Sequence, residues 1–147
     1  MSVPKSKRKQ SELDVLVEAD TLATYTIKLC TNEKKFPKRY RWCITQQIVS
    51  AAVSVAKYTS MANAIVANTE DSFLLRQSYQ QHATAEIDGL LTMMDISYRT
   101  FSSLRNQSDT QEINMSHWSA QAHKVRSLLF SWKKSDKERY KKAMANS

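Results

Sequence analysis

This sequence predicts an all-α fold, an antiparallel up-and-down four-helix bundle, on three observations. The 147 residues include one glycine, Gly89, and two prolines, Pro4 and Pro37, too few for the turns that a sheet needs. Apolar residues recur at three- and four-residue spacing through four long segments, the period of helices with one buried face. The segments are joined by short polar connections, which make consecutive helices antiparallel neighbours. A chain of this length folds as one domain and buries roughly 68–70% of its surface.

Residues 1–11 hold Lys5, Lys7, Arg8 and Lys9 and read as a basic, disordered arm. The bundle is expected over 12–134. Ser11, followed by Glu12 and Asp14, suits an N-cap with acids in the first turn. The first helix then runs to about Asn32 on a stripe of Leu13, Leu16, Val17, Ala23, Ile27 and Cys30. Asp20 falls beside that stripe, either at its edge or paired with a cation from a neighbour. Pro37 disfavours helical geometry at Phe36, so the first helix stops near there and a second starts after it.

The second helix is expected from about Lys38 to Ala67, with Ile44, Ile48, Ala51, Ala52, Val55, Met61, Ala62 and Ile65 inward. Ser50, Ala51, Ala52, Ser54 and Ala56 are small, which allows close approach of another helix. Asn68-Thr69-Glu70-Asp71 breaks the pattern and supplies caps for a third helix, from about Asp71 to Arg105. Phe73, Ala83, Ile87, Leu90, Met94, Phe101 and Leu104 give it a near-heptad seam. Its first half, with Arg76, Gln77, Gln80, Gln81 and His82, is more polar. After a polar loop over 106–114, a fourth helix starts near Ser116 and turns Ala122, Val125, Leu128, Leu129 and Trp132 inward. Residues 135–147 read as a basic tail, frayed or disordered.

Net charge is +8, and its distribution says more than its size. Residues 1–11 carry +4, 12–27 carry −4, 28–41 carry +5, 42–112 carry −3 and 113–147 carry +6. Three separate basic patches point to an anionic partner, nucleic acid or a membrane surface. The densest is the stretch N-E-K-K-F-P-K-R-Y-R-W, from Asn32 to Trp42: five of eleven residues are Lys or Arg and three are aromatic. Cations beside rings suit a phosphate backbone with neighbouring bases. Lys34, Lys35, Lys38, Arg39 and Arg41 would meet phosphates, and Tyr40 or Trp42 would stack on a base or pack inward. The bundle topology brings Arg99 and Arg105 to the same end. The competing reading is a solvated turn, with Phe36 and Trp42 stapling two helices together.

Nucleophile–base constellations, glycine-rich phosphate loops and metal-ligand spacings are missing from the sequence, so a non-catalytic protein without a cofactor is expected. Cys30 and Cys43 flank the corner and read as two small buried thiols of a reducing compartment. No apolar run of eighteen residues and no apolar signal core occur, which predicts a cytoplasmic protein with no membrane partner. Adsorption of the basic tail to an anionic membrane, with Phe130 and Trp132, is the weakest alternative, because those rings serve better as core.

The segment N-E-K-K-F-P-K-R-Y-R-W-C-I-T-Q-Q-I, Asn32 to Ile48, resembles the opening of the second helix in a family of small four-helix-bundle proteins. That family comprises accessory variability determinant proteins of diversity-generating retroelements and proteins encoded in intervening sequences of ribosomal RNA genes. Phe36, Pro37, Arg41 and Gln46 match its pattern position by position, and Ala62-Asn63 is similar to it too. Ile44-Thr45 stands where many members carry Leu-Gly. The resemblance implies a homopentamer of bundles with a basic surface that, in the retroelement branch, binds the element's reverse transcriptase and the template RNA during mutagenic copying of RNA into cDNA; the basic patches by themselves leave the partner as RNA or DNA. The rival from another class is a structural or protein-interaction bundle with solvated basic ends, as in the ribosomal RNA branch.

Overall fold

The computed structural model describes residues 5–104 and 111–146, with the side chains of residues 5–11 and 13 left aside. The described residues form four long helices: α1 (Lys5–Cys30), α2 (Gln46–Asn63), α3 (Glu70–Ser102) and α4 (Met115–Ala145). A 3₁₀ turn over Lys38–Tyr40 and a π-turn over Arg41–Thr45 lead into α2. No strand occurs among the described residues. Each helix packs on two neighbours in the order α1, α2, α3, α4 and back to α1. Named contacts run in opposite senses along α1 and α4: Thr26 meets Trp118, Glu18 meets Lys124 and Glu12 meets Arg139.

The helix starts follow from local chemistry. Thr69 caps α3 in a reciprocal capping box, its hydroxyl accepting from the Ser72 N–H at 3.1 Å while Ser72 Oγ accepts from the Thr69 N–H at 3.0 Å. Such pairs satisfy two of the amides that a helix start leaves without partners. Asn114 caps α4 by accepting from the His117 N–H at 3.1 Å. Helix α1 begins at Lys5 rather than at Ser11, so residues 5–11 are helical and not an arm. Helix α2 stops at Asn63, four residues before the expected Ala67. Helix α4 continues to Ala145, through the segment read as a frayed tail. Tyr140 explains part of that, since its ring stacks on Phe73 of α3 at 4.1 Å between centroids.

The core bears out the expected faces of α2, α3 and α4, where most of the apolar residues expected inward are buried. Met61 is the exception on α2, exposed beside a buried Thr59. On α1 the expected stripe holds at Ala23 and Cys30 and is out of phase at Val17 and Ile27, with the Leu13 side chain outside the description. Val15, Ala19, Leu22, Thr26, Leu29 and Cys30 face inward, while Val17 and Ile27 are exposed. Thr26 decides the phase: its buried hydroxyl donates to the Leu22 carbonyl at 2.7 Å and accepts from Trp118 Nε1 at 3.0 Å. A threonine that bonds back to its own helix is tolerated inside, and it gives the fully buried Trp118 the partner its N–H requires. Asp20 is exposed, at the edge and not in the core.

Candidate nucleic-acid interface

The corner between α1 and α2 is built on Asn32. Its side-chain oxygen accepts from the Lys34 N–H at 3.0 Å, and its carbonyl accepts from the Lys35 and Phe36 N–H groups at 3.0 and 2.9 Å. This is an asparagine-anchored turn, and Pro37 leaves it in extended geometry (φ −58°, ψ 141°). Phe36 drops inward, 2% exposed, and meets Phe101 and Trp118 edge-on at 5.4 and 6.0 Å. Phe36 thus packs the corner onto α3 and α4, where the competing expectation was a staple between the two helices that the corner joins. A further tie comes from the segment before α4, where the Gln111 N–H donates to the Lys34 carbonyl at 2.8 Å.

Around this anchored backbone Lys34, Lys38, Arg39 and Arg41 are exposed and Lys35 is half-buried. None of the five pairs with a carboxylate among the described residues. Tyr40 is half-buried, edge-on to Phe101 at 5.5 Å, with the Arg39 guanidinium over its ring at 5.2 Å. Its place against the core takes it away from the stacking role considered for it. Trp42 is instead 75% exposed, so it staples nothing. Arg99 is exposed near the same end but is paired with Asp95 at 3.2 Å, and it lies two residues from the inward-facing Phe101, on another side of α3. Arg105 lies outside the described residues.

No family model matches the chain, and no curated protein or solved structure compared with it is similar. The site is accordingly read from its own chemistry. Within the π-turn the Gln46 N–H donates to the Arg41 carbonyl, five residues back, a geometry found mostly as single turns at functional sites. A recess of about 240 Å³ opens beside it, and Lys38, Arg41 and Thr45 are among its lining residues. Thr45 Oγ1 is buried there without a hydrogen-bond partner. The Ile44-Thr45 pair was visible in the sequence, but nothing in its composition signals a π-turn or an unpartnered hydroxyl.

The two thiols differ, contrary to the expectation that both are buried. Cys30 is buried, and desolvation raises its pKa from 9.0 to about 12. Cys43 is exposed on the π-turn.

Arg76 and Asp136 form a second polar cluster, at the other end of the bundle. Asp136 is 5% exposed and accepts from Arg76 Nε at 2.6 Å, Arg76 Nη2 at 3.1 Å and Gln80 Nε2 at 2.8 Å. Arg139 also donates to Asp136, and both arginines reach Glu12. Arg76 further donates to the Ile65 carbonyl at 3.0 Å and lies over Trp132 at 5.0 Å. These groups satisfy one another, as a buried charge requires, and the cluster ties together α1, the α2–α3 connection, α3 and α4.

Among the described residues no helix is long and apolar enough to cross a membrane, and no group of three or more His, Cys, Asp or Glu gathers at metal-binding range.

Proposed function

We propose that this protein is a non-catalytic nucleic-acid-binding accessory protein whose binding surface is the corner Lys34–Arg41. One observation carries the reading: five cations sit on a backbone fixed by Asn32, Phe36 and Gln111, with no described carboxylate neutralising them. Cations without protein partners are available to displace the counterions of a phosphate backbone. The likeness of Asn32–Ile48 to retroelement accessory proteins extends the proposal to a reverse-transcriptase partner that acts in the cytoplasm as a homopentamer.

The competing reading, a protein-interaction bundle, draws on apolar exposure elsewhere, at Val66, Leu74 and Leu75. Such a surface serves the proposed assembly equally well. The deciding measurement is binding to RNA and DNA as a function of salt. Between roughly 50 and 200 mM salt, affinity falls by about 10³–10⁵ if six to ten contacts form. The triple change Lys38→Gln, Arg39→Gln and Arg41→Gln weakens binding to all sequences and flattens the salt slope by nearly one unit per charge removed. Its melting temperature stays close to the parent's, because exposed charges contribute little to stability. A triple variant that binds as the parent does at every salt concentration makes the corner a solvated turn.

A further inference from the structure

We infer that the corner selects single-stranded over duplex nucleic acid, with an unstacked base lying on Trp42; this rests on the corner being the binding surface. The chain has three tryptophans. Trp118 and Trp132 are 0% and 2% exposed, whereas Trp42 is 75% exposed. Its surroundings exclude two ordinary explanations. It is not a core ring that has failed to pack, since Phe36 and Tyr40 already fill the space against Phe101.

Nor does it sit on an apolar patch of the kind that marks a protein contact. The residues three and four positions away, Lys38, Arg39, Thr45 and Gln46, are charged or polar, and all are exposed except the half-buried Thr45. Of the other exposed apolar side chains, Val66, Leu74 and Leu75 cluster at the start of α3 and the connection before it, while Ile96 and Tyr98 lie on the last turns of α3.

An exposed indole amid cations that no described carboxylate pairs fits a ligand that offers a flat face and a negative backbone in alternation. Single strands offer both, whereas a duplex keeps its base faces stacked inside. Phosphates on either side of the stacked base fall to Lys38, Arg39 and Arg41.

The test uses the full chain with an RNA of about 12 nucleotides, within the roughly 4–16 nucleotides that single-strand sites cover, and its blunt duplex. Trp42→Ala is expected to weaken single-strand binding roughly 5- to 150-fold, the equivalent of about 1–3 kcal/mol for one stacked base. Duplex binding should change little, and Trp42→Phe should keep most of the single-strand affinity. Single strand should also quench the intrinsic fluorescence of the parent but not of Trp42→Phe, because the two remaining indoles are buried.

The inference falls if Trp42→Ala binds both ligands as the parent does while the triple glutamine variant weakens both; the binding reading then stands alone. It falls equally if Trp42→Ala leaves RNA binding intact and lowers the mass seen by light scattering, which assigns the ring to a protein contact. A parent that binds neither oligonucleotide removes the underlying reading itself.

Discussion

Asp136 holds more of the fold's polar bonding than any other carboxylate described. It lies on α4 in series with Trp118, Ala122, Val125, Leu129 and Trp132, so the helix presents a carboxylate where its stripe calls for an apolar residue. Arg76 and Gln80 do the same on α3. Removing one partner of such a pair leaves the other buried and uncompensated, at a cost of about 3–5 kcal/mol. Against a total stability of about 5–15 kcal/mol, Asp136→Ala should take the protein near its unfolding limit. The paired change Arg76→Met with Asp136→Leu should cost much less than the sum of its parts. Urea melts of the three variants measure both, and a loss under 1 kcal/mol for Asp136→Ala would falsify the assignment. The thiols give a second expectation. Near pH 8 a disulfide reagent should modify Cys43 quickly and reach Cys30 only after unfolding; equal rates in the native protein refute the burial of Cys30. The folded protein holds the Cys30 proton to about pH 12, whereas the unfolded chain releases it near 9.0. The unfolded state thus binds fewer protons in that window, and stability falls as pH rises through it, by up to about 1.4 kcal/mol per unit. Cys30→Ala should flatten that part of the stability curve.

At the scale of elements, what was legible in the sequence was what apolar periodicity encodes. Helix α3 is the clearest case, with Phe73, Ala83, Ile87, Leu90, Met94 and Phe101 all buried as their heptad spacing requires. Arg76 and Gln80 lie on that same seam, Arg76 three residues after Phe73, Gln80 four after Arg76 and three before Ala83. Their polarity suits an outward face; instead they are spent on Asp136 within the chain. Helix α1 was harder, because its threonines hide their hydroxyls in their own backbone and count as apolar at Thr26. The corner was legible as a break at Pro37 and as a concentration of charge. Which ring turned inward was not, since Phe36, Tyr40 and Trp42 are equally able to pack. Phe36 has an aromatic cage waiting in Phe101 and Trp118, and Trp42 has none.

For the whole molecule, the proposed assembly makes the plainest prediction. Light scattering after gel filtration should return a multiple of the 16.9 kDa chain mass, five by the likeness of the corner segment, and a monomer at micromolar concentration would end that part of the proposal. The basic ends of the bundle serve different purposes in this arrangement. One end displays five cations that no described carboxylate pairs, and the other binds two of its arginines to carboxylates. That second end also fixes how far along α3 the last helix can sit. A slip of α4 by one turn, about 5.4 Å, would replace Asp136 opposite Arg76 with Trp132 or Lys133 in one direction, or with Arg139 or Tyr140 in the other. Two of those replacements oppose like charges in a buried setting, and the other two take away the guanidinium's nearest carboxylate, leaving it only the longer contact to Glu12 on α1. Leucine and alanine stripes alone tolerate such sliding, so the chain carries at Asp136 a mark that only one alignment of the two helices can read.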